Sequence, residues 1–209
     1  AFSFLKAIKP FIRIGYKEFT QEKSAFNSAM SYTLKRAVTG SGKEIKIDFD
    51  RALVSMGTLM PIFEGAATVS NHQMTFNWKD NSGMGNAERT DIVMVLVYNK
   101  DREAAVYDTE AALRSDCHAG LQLPEDWQDD ELVAYLSFCS TDGNCVANSI
   151  CLPISVIEIP EEEIDVQTES IDTTHKRILP DKRTVHQSRI TVHSLSAPPN
   201  EIQTYRYET

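Results

Sequence analysis

Between residues 71 and 152 the chain alternates short β-rich runs with turn-rich clusters, and this limits the folds open to it more than any other feature. The runs are 72–78, 92–98, 132–140 and 145–152, with Gly, Asn, Asp and Pro crowding the gaps. Strands so short and so spaced bury a face only by pairing antiparallel and stacking as two layers. Met74, Phe76 and Trp78 share one face of their run, an aromatic surface suited to the gap of about 10 Å between two sheets. Val93, Val95 and Val97 alternate with Ile92, Met94 and Leu96, so both faces are apolar and the run reads as a central strand. Residues 103–107 pair with it through the turn at 99–102. A strand at 121–123 leads through Pro124 into a corner holding Trp127, and 132–139 with 145–152 closes the sheet as a hairpin.

Upstream the period changes. Ile45, Ile47 and Phe49 alternate with Lys46 and Asp48 as an amphipathic strand, and 52–56 offers another before a break at 57–61. Residues 2–19 carry Phe4, Leu5, Ile8, Phe11 and Ile12 at helical spacing, interrupted by Pro10 and weakened by Gly15, which predicts one broken or two short helices. Ser24 is placed as an N-cap before Phe26, Ala29, Met30, Thr33, Leu34, Ala37 and Val38, with Gly40 as the C-terminal stop. That stripe is expected to pack on the protein's own sheet. The fold class is therefore α+β: N-terminal helices over 1–42, an antiparallel β-sandwich over 43–152, and a C-terminal extension over 153–209, partly extended or disordered. The extension holds an acidic break at Pro160, Glu161, Glu162 and Glu163, and one further possible strand at 183–195. Its unpaired strands offer an alternative role, adding to a neighbour's sheet edge.

The 209 residues carry a formal charge of −9, which argues against nucleic acid as a partner, because phosphate affinity needs a basic face. The basic pairs Lys35-Arg36, Lys176-Arg177 and Lys182-Arg183 read as solvated surface. No apolar run reaches the roughly 18 residues a membrane helix requires. The compartment stays open, since the chain starts at Ala1 without Met.

Candidate sites are few. Cys117, Cys139, Cys145 and Cys151 fit no zinc spacing, and His118 is the one histidine near them. Cys139 and Cys145 flank Ser-Thr-Asp-Gly-Asn, so a disulfide across a hairpin is an alternative to four thiols. In the loop 79–90 and just beyond it, Asp80, Ser82, Asn86, Glu88 and Asp91 supply oxygens at a spacing similar to a calcium loop. Met84, however, stands where an oxygen is wanted. The competing reading is a long connection in which Asn and Asp side chains bond neighbouring backbone and no metal or cofactor is held. Asp126, Asp129, Asp130 and Glu131 crowd one corner, where solvation outweighs glycosidase chemistry. His72, His118, His175, His186 and His193 are scattered, and there is no nucleophile elbow, P-loop or dinucleotide fingerprint.

The run Phe76-Asn77-Trp78-Lys79-Asp80-Asn81-Ser82-Gly83-Met84-Gly85-Asn86-Ala87 resembles an uncharacterised Bacteroidota family known as domain of unknown function 6266. So do Val97-Tyr98-Asn99, Leu123-Pro124-Glu125-Asp126-Trp127 and Ser137-Phe138 through Asn148-Ser149. Ile14-Gly15-Tyr16-Lys17 and Phe26-Asn27-Ser28-Ala29 resemble the helical part that precedes this module in the same family. The likeness spans residues 2–152. It implies the architecture and no catalytic residue, and it implies a Gly-rich basic stretch upstream, so an end of the natural protein is expected to be missing. Trp78 on an early strand and Tyr135 on a late one are similar to immunoglobulin-like fibronectin type III modules, which are spacers and binding scaffolds. The expected function is accordingly non-enzymatic: a structural or protein-interaction protein, in a surface or phage-related assembly, with a protein partner. The alternative is a carbohydrate-binding module with Trp127 or Tyr107 as a stacking platform for a glycan.

Overall fold

A computed structural model describes residues 1–157 apart from residue 22. The expected extension beyond 157, with its acidic break and late strand, lies outside the described residues.

The N-terminal run folds as two short helices, α1 (Phe2–Ala7) and α2 (Lys9–Gly15), hinged at Ile8. Pro10 falls in the first turn of α2, where its missing N–H leaves no gap in the hydrogen bonding. Helix α3 (Ala25–Arg36) opens as its cap predicts, with Ser24 Oγ accepting from the Asn27 amide at 3.2 Å. It stops at Arg36 rather than at Gly40. Gly40, at φ +85°, instead turns the chain between two minor strands, β1 (Val38–Thr39) and β2 (Lys46–Ile47). A Cβ there would lie 2.3 Å from the Glu44 carbonyl.

The strand expected at 45–49 thus shrinks to two residues, and 52–56 is no strand. The amides of Val54 and Ser55 bond to Ser149 Oγ, and Ser55 Oγ lies 2.6 Å from Ser137 Oγ, so this segment is consumed in joining layers.

Two four-stranded sheets follow. The first is ordered β10–β3–β4–β7, from Ile154–Val156, Gly65–Ser70, Gln73–Trp78 and His118–Gln122. The second is ordered β6–β5–β8–β9, from Ala104–Leu113, Ile92–Asn99, Leu132–Cys139 and Ile150–Leu152. All pairings are antiparallel except β10 on β3. The chain changes sheet at Pro153, which has no N–H to offer a ladder and whose carbonyl accepts from Ala67 at 3.0 Å.

Period 2 in β5 and β8 sorts their side chains into two cores. Val93, Val95, Val97, Ala134, Leu136 and Phe138 pack between the sheets with Met74, Phe76 and Trp78. Met94, Leu96, Tyr98, Val133 and Tyr135 face the other way, against Phe4, Leu5, Ile8, Phe11, Ile12 and Tyr16 of the helices. The molecule is layered helix, sheet, sheet. Each fully buried large side chain contributes about 1.5–3 kcal/mol, so the second core contributes much of the stability rather than ornamenting a finished sandwich.

Candidate functional site

The centre of the polar architecture is Arg114, which follows β6 in a single 3-10 turn and is fully buried. Its Nε donates to Asp91 Oδ2 at 2.9 Å, its Nη1 to Asn81 Oδ1 at 2.7 Å and its Nη2 to the Met60 carbonyl at 2.8 Å. The guanidinium lies 3.8 Å from the centre of the Phe138 ring, and the Arg114 carbonyl accepts from the Trp78 indole at 2.8 Å. Desolvation by burial pulls the arginine pKa down from its ordinary value, and the neighbouring Asp91 opposes it. Its partners lie 23, 33 and 54 residues away in sequence, so one side chain ties three stretches to the sandwich end.

That clasp organises the loop read as a calcium candidate. Asp91 Oδ2 also accepts from the Glu88 amide at 2.9 Å. Asp80 Oδ1 accepts from the Ser82 amide at 2.9 Å and from the Ser82 hydroxyl. These bonds, with Arg89 at 3.8 Å as a smaller aid, hold the Asp80 carboxyl below the usual carboxylate range. Asn86 accepts from the Met60 amide at 2.8 Å and donates to the Thr58 carbonyl at 3.1 Å. Asp80 and Ser82 therefore bond each other, while the oxygens of Asn86 and Asp91 are turned to the Met60 amide, the Glu88 amide and Arg114. Among the described residues no three His, Cys, Asp or Glu side chains gather into a metal site.

The acidic corner is bonded in the same manner. Arg102 reaches Asp126 Oδ2 at 2.6 Å and also meets Asp130, which accepts from Asn99 Nδ2 at 2.7 Å. Lys100 pairs with Glu131. Hydrogen bonds from Asn99 and Arg102 hold Asp130 below its ordinary value. On the helix side, Glu18 Oε1 accepts from the Val146 amide at 2.8 Å and from the Thr58 amide at 3.2 Å, while Oε2 accepts from the Thr58 hydroxyl at 2.9 Å. Gly57 is needed beneath it, since a Cβ there would meet Glu18 Oε1 at 2.1 Å.

The aromatic candidates and the hairpin cysteines are placed as follows. Trp127 is only 5% exposed, with its ring in the inter-sheet core, and Tyr107 is half-buried, edge-on to Phe11 at 5.9 Å. Neither ring stands free as a stacking platform, because each is needed to fill a layer boundary. Cys139 and Cys145 are free thiols. The strand partner of Cys139 is Val146, one residue later, and that offset sends Cys139 to the helix-side core and Cys145 to the inter-sheet core. Burial raises the Cys139 pKa, and burial with Asp50 nearby pushes Cys151 up to about 12.

Sequence reasoning missed Arg114 and Glu18 altogether. The one available signal for Arg114 was an arginine directly after an alternating run, which does not name partners so remote.

No helix among the described residues is long and apolar enough to cross a membrane. No curated protein and no solved structure matches the chain. The model of a family of unknown function, DUF6266, matches residues 1–153, which takes in the helices, the minor hairpin and every strand of the two sheets except β10. By that match the chain belongs to the DUF6266 family.

Proposed function

We propose that this chain is a non-enzymatic structural or protein-interaction module, built on a fibronectin type III-like sandwich with a helical buttress and serving a surface or phage-related assembly. The fibronectin-like reading is supported by the strand order, in which β3–β4–β7 face β6–β5–β8–β9 and the last strand crosses between sheets at Pro153. The observation that carries the functional reading is the use of the buried and clustered polar side chains. Arg114, Asp91, Asn81, Glu18, Arg102, Asp130, Ser55 and Ser137 each bond one element to another. A scaffold needs its polar groups committed in this way, whereas catalysis needs some of them held unpaired at a surface a substrate can reach.

The carbohydrate alternative takes Trp127 and Tyr107 as its platform, and both rings pack against other side chains of the fold. Tryptophan emission during titration with a glycan panel tests the choice: both indoles are buried, so no saturable change is expected. A saturable shift with any glycan would replace this reading with sugar binding. Turnover of a substrate by the purified chain would replace it with an enzyme.

A further inference from the structure

A groove of about 580 Å³ runs along α3, floored by the half-buried Ser31 and Tyr32 and bordered by Phe19, which is 42% exposed. Its walls carry Lys23, Lys35 and Arg36, all exposed. The carboxylate among its described lining residues is Glu18, both of whose oxygens already accept hydrogen bonds from Thr58 and Val146. None of the three cations joins an ion pair among the described residues. The helix dipole accounts for Lys35 and Arg36, which sit in the last turn of α3. It does not account for Lys23, which precedes the N-cap and faces the same groove from the other end.

A chain of net charge −9 has thus gathered along one concave, partly apolar surface three positive charges that form no ion pair among the described residues. We propose that this groove docks an extended acidic segment of a protein partner, a proposal that rests on the interaction-module reading and gives that module a face and a ligand chemistry. The 12 residues of α3 span about 18 Å at 1.5 Å each, room for about five residues of extended chain. Cations at both ends would pair with carboxylates, and Phe19 would cover an apolar side chain between them. A nucleic acid fits less well, since a longer polyanion leaves the groove and meets the acidic remainder of the molecule.

The test uses the full chain and a fluorescein-labelled hexaglutamate peptide, read by anisotropy. Saturable binding is expected, weakened about tenfold or more by the triple reversal K23E/K35E/R36E and by raising the salt. K6E/K9E/K79E makes the same change in net charge away from the groove and is expected to leave binding within about twofold of the parent. Where the first variant melts earlier than the parent, K23Q/K35Q/R36Q provides the same contrast. Absence of saturable binding, equal loss in the two triple variants, or equal displacement by an oligothymidylate of matched charge would each overturn the proposal. Such a failure would leave the glycan and turnover tests of the module reading untouched.

Discussion

Arg114 shows what a buried charge does when each of its three guanidinium nitrogens donates a hydrogen bond. Its ion pair with Asp91 is closed to water, and removing the cation would leave a carboxylate in the sandwich end with no counter-charge. We predict that Arg114→Ala costs about 3–5 kcal/mol in urea denaturation, whereas Asp80→Asn, at the half-buried start of the same loop, costs less than about 1 kcal/mol. Equal losses would contradict the clasp. Thr33 is the opposite case: fully buried on α3, its hydroxyl has no hydrogen-bond partner among the described residues. Thr33→Val keeps the shape and removes the unsatisfied group, so a gain of about 1 kcal/mol in the same assay is expected. The thiols give a third residue-scale reading. Iodoacetamide under denaturing conditions without reductant is expected to label all four cysteines, and in the native state Cys139 and Cys151 should react slowly at pH 8, because burial keeps both protonated. Two labels instead of four would restore the disulfide.

At the scale of elements, the helical layer is held to the sheet by close backbone approach as well as by apolar packing. The Gly15 carbonyl accepts from the Met56 amide at 2.8 Å, and a Cβ on Gly15 would lie 2.5 Å from the Val54 carbonyl. Gly57→Ala pushes into Glu18 and the Val146 carbonyl, and we expect it to cost about 1–3 kcal/mol by thermal or urea unfolding. The same layer fixes the alkaline limit of stability. Burial raises the Tyr16 and Tyr135 pKa values above the ordinary 10.0, and Cys151 rises from 9.0 to about 12. Above pH 9 the unfolded chain loses protons that the folded chain keeps, so the stability these groups contribute is intact below that pH and falls as pH rises. Urea midpoints measured between pH 7 and about 11 should decline on the alkaline side, and a flat profile would contradict buried, neutral Tyr16 and Tyr135.

Elements with a strong local signature were legible in the sequence. Ser24 capped its helix, and the two apolar faces of 92–97 marked a central strand because each face has its own core. β3 was missed, because Gly65-Ala66-Ala67-Thr68-Val69-Ser70 has small side chains and becomes a strand through its neighbours β4 and β10. The alternation at 45–49 was overread for the converse reason, since the short turn at Gly40 leaves room for only two paired residues. The site was less legible than the fold. Asp91 stood out as an oxygen donor, but its role depends on an arginine 23 residues away, and no spacing rule connects them.

In the whole molecule, β5 and β8 are covered on both sides. One side meets the other sheet and the other side meets α1, α2 and the segment around Val54. Removing residues 1–36 would bare Met94, Leu96, Tyr98 and Tyr135 together, an apolar face that should drive aggregation or loss of cooperative unfolding. Native-state hydrogen exchange, followed by mass spectrometry, tests this layered arrangement most directly. The amides of α2, β5 and β8 are predicted to exchange through one shared opening, with protection falling in parallel as urea is added. Fast exchange throughout residues 2–36, beside undiminished protection of 92–99 and 132–139, would show a sandwich complete without its helices and would contradict the account.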